Sequence, residues 1–303
     1  MTIRTDMWLS FILIMGVIFV LDLGVFNRKS HEIRFREALA WTIVWVVLAC
    51  VFNAGIYWFM GPVKALEFLT GYLIEESLSV DNLFIFIMIF SYFRVSRAHQ
   101  PKILKWGILG ALAMRGVFIM AGIGLMERFH WMLFIFGGLL VVTGIKMAFG
   151  GEQKIEPEKN LLVRLAGRFF PVTRDMHDDR FFVRKEGRIA LTPLFLTLLV
   201  VESSDVIFAV DSIPAVLAVT RDPFIVYTSN VFAIMGLRSL YYLLANVMEI
   251  FSYLKLGISF VLAFVGVKML LTDIYPIPIH FSLGVIVGVL AVSIAASLTI
   301  PKK

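Results

Sequence analysis

Three carboxylates interrupt an apolar run at 201–216, VESSDVIFAVDSIPAV: Glu202, Asp205 and Asp211. A second apolar run, GYLIEESLSVDNLFIF at 71–86, holds Glu75, Glu76 and Asp81, with Asn82 next to the last. A carboxylate at mid-membrane costs at least about 2.5 kcal/mol on insertion scales, so such groups face a bundle interior or an aqueous cavity and pair with something. Glu202 and Asp205 are three residues apart, and Glu75 and Asn82 are seven apart, spacings that put each pair on one helical face. Asp81 and Asp211 fall off those faces in a straight helix. Pro214, whose ring clashes with the carbonyl of Val210, is expected to break the second helix and free carbonyls at the depth of Asp211. Ser79 and Ser212 add hydroxyls that can ligate or satisfy a kinked backbone.

Oxygen donors of this kind suit hard cations such as Mg²⁺, Ca²⁺ and Mn²⁺ rather than Cu or Zn, and no His lies deep in an apolar run. The deep basic candidates are Arg115 and Arg238, while Lys146 and Lys268 lie near the ends of runs and can snorkel. Acid therefore exceeds deep base, a deficit that protons or a metal cation would fill. The expected metal ligands are Glu75, Asp81, Asn82, Glu202, Asp205 and Asp211. Asp22, Ser79, Ser212, Arg115 and Arg238 are supporting candidates, and both arginines also suit purely structural pairing. Glu76 points away from Glu75 and is expected to be solvated.

The elements that must position these groups follow from the apolar pattern. Of 303 residues, 59% are hydrophobic, and they cluster into runs long enough to span a bilayer. Nine spans are expected at about 8–26, 39–60, 66–91, 106–125, 131–149, 190–217, 224–247, 256–272 and 279–300. The first has no small-residue cleavage site and is followed by NRKSHEIRFR, so it reads as an uncleaved span. The net charge of +6 comes largely from Lys and Arg between spans, which argues for membrane topology rather than nucleic-acid binding. Basic residues alternate strongly between successive loops, and the segment from Lys154 to Arg188 holds nine. The N-terminus is then expected outside and the C-terminus, with Lys302 and Lys303, in the cytoplasm.

The charges also betray a repeat. Asp205 follows Asp81 by 124 residues, Arg238 follows Arg115 by 123 and Lys268 follows Lys146 by 122. GIKM at 144–147 returns as GVKM at 266–269. An odd number of spans inverts the next copy, so two inverted three-helix repeats are expected, with a substrate site where they meet near mid-membrane. The chain thus reads as a single all-α transmembrane domain over 1–303, a polytopic helical bundle. Two spans lie within 1–65, the repeats cover about 66–149 and 190–272, a basic cytoplasmic loop covers 150–189, and a last span and tail cover 273–303.

Within the loop, LLVRLAGRFF has amphipathic helical spacing suited to a membrane surface, and FFVRKEGRIAL suits a hairpin turning at Glu186-Gly187. The run Asp175, His177, Asp178 and Asp179 is a weak cation candidate. The single Cys50 rules out a disulfide within the chain. No zincin, aspartyl-protease or phosphate-loop motif is present, so neither an enzyme nor an ATP-driven pump is expected, and no prosthetic group is implied.

EESLSVDN at 75–82, VESSDVIFAVDSIPAV and DPFIVYTSNVFAIMGLRSLYYLL at 222–244 resemble the TerC family over nearly the whole chain. The resemblance implies a manganese exporter of the bacterial inner membrane, within the LysE-type superfamily, and carries the family's transmembrane acidic residues onto Glu75, Asp81, Glu202, Asp205 and Asp211. It argues against an essential role for Glu76. It also brings in tellurite resistance and the metal loading of exported enzymes. The partners expected are a divalent cation, protons taken in exchange, and the lipid bilayer; the residues name no protein partner. The rival reading is a non-transporting membrane scaffold for assembly or stress proteins.

Overall fold

The computed structural model describes residues 2–20, 35–150, 160–173, 180–185, 188–245 and 253–299. They form ten helices and one two-stranded hairpin: α1 (Thr2–Val20), α2 (Phe35–Met60), α3 (Pro62–Tyr92), α4 (Gln100–Arg128), α5 (Met132–Phe149), α6 (Leu161–Phe169), β1 (Phe182–Lys185), β2 (Arg188–Leu191), α7 (Pro193–Leu217), α8 (Pro223–Ala245), α9 (Leu254–Leu270) and α10 (Ile279–Thr299). Five of them, α2, α4, α5, α7 and α10, are long and apolar enough to cross a membrane. α8 is apolar and polar by turns because most of it is buried inside the bundle, including Thr228, Ser229, Asn230 and Arg238. A helix enclosed by other helices can carry polar groups that a lipid-facing helix cannot.

The ends differ from the apolar runs where local chemistry decides. Pro62 and Pro193 occupy first-turn positions that need no backbone N–H, so α3 starts at 62 rather than 66 and α7 at 193 rather than 190. Residues 190 and 191 instead belong to β2, and Thr192 caps α7 by accepting from the Phe195 amide. α7 continues helical through Pro214 to Leu217, contrary to the expected break. The reason is position: Pro214 stands in the last turn, so the helix forgoes one backbone bond and ends almost at once. The expected end of the first span, with Asp22, and the run Asp175–Asp179 lie outside the described residues.

Direction alternates along the bundle. At one end, Lys64 and Glu67 of α3 meet the α7–α8 loop, and His130 meets Asp273 at 2.9 Å. At the other end, Tyr241 donates to Gln100, and Phe182 of the hairpin packs on Phe195 at 4.7 Å between ring centroids. The described residues of the basic segment, 160–173, 180–185 and 188–191, are at this second end. α1 and α2 pack on α3 and α8 through an aromatic cluster that includes Phe11, Trp45, Phe52, Phe68 and Phe232.

Two trios of helices, α3–α5 and α7–α9, make most of their contacts with each other rather than within themselves. α5 packs along α9, α3 lies against both α7 and α8, and α4 against both α7 and α8. The α5–α9 contact is reciprocal. A methyl on Gly144 would lie 2.6 Å from the Ser259 carbonyl and 2.9 Å from the Ala263 amide; one on Gly266 would lie 2.7 Å from the Gly137 carbonyl and 2.9 Å from the Val141 amide. Adding 122 to 144, 137 and 141 gives 266, 259 and 263. Each glycine therefore meets, on the opposite helix, the counterparts of the residues its twin meets, as in an isologous interface.

Candidate functional site

The acidic groups separate into one central cluster and two flanking positions. Glu75 of α3 is fully buried and takes an ion pair from the Nη1 of Arg115 on α4, which is itself buried. Asp205 of α7, also buried, is the second charged neighbour of Arg115 and lies near Glu75. Glu202, one turn earlier on α7 and half-buried, neighbours Asp205. Its carboxylate lies against Gly110 of α4, where a methyl group would overlap it. Two carboxylates, one from each trio, thus share one guanidinium, and Glu202 stands beside the second of them.

Five buried polar atoms on α3, α4 and α7 have no hydrogen-bond partner in the structure: Glu75 Oε1 and Arg115 Nε within the cluster, Ser79 Oγ one turn from Glu75, and Asn82 Nδ2 and Ser212 Oγ two turns from Glu75 and Asp205 respectively. Glu75, Ser79 and Asn82 form one stripe along α3, as their spacing demands. Leaving such groups unsatisfied costs about 1–3 kcal/mol each, so this is where a polar or charged ligand gains most. Among the described residues, no three His, Cys, Asp or Glu side chains converge closely enough to hold a metal ion. The cluster as it stands is an ion-paired arrangement centred on Arg115.

The remaining expected ligands are placed apart. Asp81, half-buried on α3, has Lys255 of α9 as its charged neighbour. Asp211, half-buried on α7, accepts from Thr143 Oγ1 of α5 at 3.0 Å and has Lys146 nearby. Each of these aspartates faces the third helix of the opposite trio. Arg238 is buried on α8, one turn before its neighbour Tyr242. Lys146 is exposed, but its counterpart Lys268 is buried at 9%, so the two lysines do not behave alike.

Some functional neighbours were not legible. Glu76 is not solvated: it accepts from Tyr72 Oη at 2.9 Å and lies close to Gly236 of α8. The signal was there in the four-residue spacing of Tyr72 and Glu76. Thr143 carried none, since nothing in its own stretch points to Asp211. At one end of the bundle a polar strap joins α3 to the α7–α8 loop. Lys64 pairs with Glu67 at 2.7 Å and Asp222 at 3.5 Å, and Thr220 donates to Glu67. These residues line a cavity of about 460 Å³ with Leu133, Leu217 and Met269.

Charges buried among helices long and apolar enough to cross a bilayer define an integral membrane protein with a polar interior. The chain belongs to the TerC family of integral membrane proteins, whose family model matches residues 60–303. It is 51% identical over 292 residues to an uncharacterized membrane protein, STKORF319, of Myxococcus xanthus, covering 96% of this chain and 92% of that one. It is 46% identical over 296 residues to the putative membrane-bound redox modulator Alx of Escherichia coli K12, covering 95% and 92%. A Rickettsia bellii membrane protein is 37% identical over 290 residues, covering 96% of each chain. None of these names describes a catalytic activity. No solved structure matches.

Proposed function

We propose that this protein is a secondary transporter that exports divalent metal cations, Mn²⁺ above all, from the cytoplasm. The observation that carries the proposal is the Glu75–Arg115–Asp205 cluster with Glu202, assembled from both trios, in which Glu75 Oε1 and the nearby Ser79 hydroxyl lack partners. Without cargo, Arg115 neutralises the carboxylates. A cation entering along Glu202 replaces the guanidinium at Glu75 and Asp205, with Ser79, one turn from Glu75, as the nearest neutral donor, while Asn82 and Ser212, two turns away on α3 and α7, stand along its path. Carboxylates left crowded after release cannot all stay ionised, so proton uptake accompanies the return and makes the cycle an antiport.

Nine spans and two inverted repeats, about 66–149 and 190–272, form the architecture of this reading. The alternating helix directions and the reciprocal Gly144 and Gly266 contacts support it. The abundance of Lys and Arg between 154 and 188 favours the bacterial inner membrane with that end of the bundle in the cytoplasm. Export then requires the strap of Lys64, Glu67, Thr220 and Asp222, at the outer end, to part as the repeats rock. A thiol–disulfide form of the redox role named for the Alx relatives would need a thiol partner from elsewhere, because the one cysteine cannot close a disulfide within the chain.

Mn²⁺ uptake into inside-out vesicles tests the proposal. Wild type should accumulate the ion, and Glu75→Gln and Asp205→Asn should not, while remaining folded. Folded wild type that moves no Mn²⁺, Ca²⁺ or Mg²⁺ would overturn it and shift weight to a scaffold working through the basic segment.

A further inference from the structure

Helix α6 has three distinct faces. Val163 and Ala166 turn toward the protein, and Val163 packs against the main core. Leu161, Leu162, Leu165 and Phe169 form a second face, 41–74% exposed. Arg164 and Arg168, both exposed, form a third face beside it. Four large apolar side chains held in the open on nine residues are not what water stabilises, and each fully buried Leu or Phe contributes about 1.5–3 kcal/mol. An apolar stripe flanked by arginines suits a helix whose outer side meets acyl chains while its arginines reach for the headgroups.

The helix is also tied down at both ends. Asn160 caps it, accepting from the Leu162 and Val163 amides at 3.0 and 3.2 Å, and Asn160 Oδ1 also lies 3.4 Å from Ser203 Oγ. Ser203 adjoins Glu202 and is two residues from Asp205. Past the other end, Thr173 N donates to the Leu191 carbonyl, and Leu191 N to the Pro171 carbonyl, just ahead of the first turn of α7. A nine-residue helix is about 14 Å long, and the twelve-residue step from Leu191 to Ser203 rises about 18 Å, so α6 lies along the first turns of α7.

We propose that α6 is a contact site for anionic phospholipid. Its Leu and Phe face enters the acyl boundary, and Arg164 and Arg168 take lipid phosphates. Charge complementarity favours this occupant: the two cations beside the apolar face repel a basic surface and are wasted on a neutral one. An anionic leaflet attracts juxtamembrane basic residues at about 1 kcal/mol each. Because α6 is fastened to α7 at Ser203, lipid occupancy bears on the helix that carries Glu202 and Asp205.

The test uses the full-length chain carrying Cys50→Ala and Phe169→Cys, labelled at position 169 with an environment-sensitive fluorophore. It is reconstituted into vesicles of phosphatidylcholine alone or of equimolar phosphatidylcholine and phosphatidylglycerol. The expected result is a blue shift in the anionic vesicles that Arg164→Gln with Arg168→Gln abolishes, while Arg164→Lys with Arg168→Lys retains it. Equal emission in both vesicles would overturn the proposal. So would a shift that survives the glutamine pair, or one produced only by a soluble acidic peptide. The readout is independent of transport, so it stands or falls apart from the Mn²⁺ reading.

Discussion

The two trios meet in two ways. Along α5 and α9 the meeting is close: glycines bring backbone to backbone, and no carboxylate intervenes. Among α3, α4, α7 and α8 it is polar, with a buried ion pair, further carboxylates and hydroxyls without partners. The first contact is stabilised by contact area, and rigid backbone atoms leave it one geometry. The second is stabilised by charge compensation, which admits exchange of one cation for another. A transporter needs both kinds, a fulcrum that keeps its shape and a site whose occupant can change.

The largest break in this contrast should come from Arg115→Leu. It strands Glu75 and Asp205 in the interior and should destabilise the protein by about 3–5 kcal/mol, seen as a lower thermal midpoint in detergent. Adding Glu75→Gln should recover part of that stability, since Asp205 still lacks its cation, but not transport. If the double variant is as unstable as the single, the cluster is not a compensated charge pair.

Gly144→Ala and Gly266→Ala come next. Alanine favours a helix by about 1 kcal/mol, but the carbonyls of Ser259 and Gly137 are backbone and cannot step aside. Each variant should therefore lose about 1–3 kcal/mol, with nearly equal thermal shifts, and the second should add less than the first. Clearly unequal shifts would show that the two contacts are not equivalent.

Thr143→Val removes the hydrogen bond to Asp211 that links the close contact to the polar one. About 1 kcal/mol should be lost, with a slower Mn²⁺ flux if Asp211 helps pass the ion. The smallest stability change should follow Lys64→Met, at most about 1 kcal/mol for a pair this exposed. Its informative effect is on flux, because it loosens the strap between the trios at one end.

The carboxylate stripes and their offsets were legible because charge is rare in apolar runs and stands out against them. Glu75 with Asn82, and Glu202 with Asp205, keep the faces their spacing assigns. The partner of Arg115 was not legible. Glu75 and Asp205 lie on different helices, and only packing decides which carboxylate the guanidinium reaches. The fastening glycines were visible in GIKM and GVKM, but a residue without a side chain announces nothing about its neighbour. Pro214 shows the converse fault: proline chemistry was read correctly, and distance to the helix end made it inconsequential.

The preference of each trio for the other rather than for itself bears on synthesis. A chain made from its N-terminus places α3, α4 and α5 in the membrane before α7, α8 and α9 exist. For that interval the first trio has half an interface and no partner. The ion pair of Glu75 with Arg115 lies wholly within the first trio. It can close before Asp205 is made, so the early half enters lipid with its two deepest opposite charges already cancelled. The same arginine that serves the finished site is thereby an escort for its first glutamate during assembly.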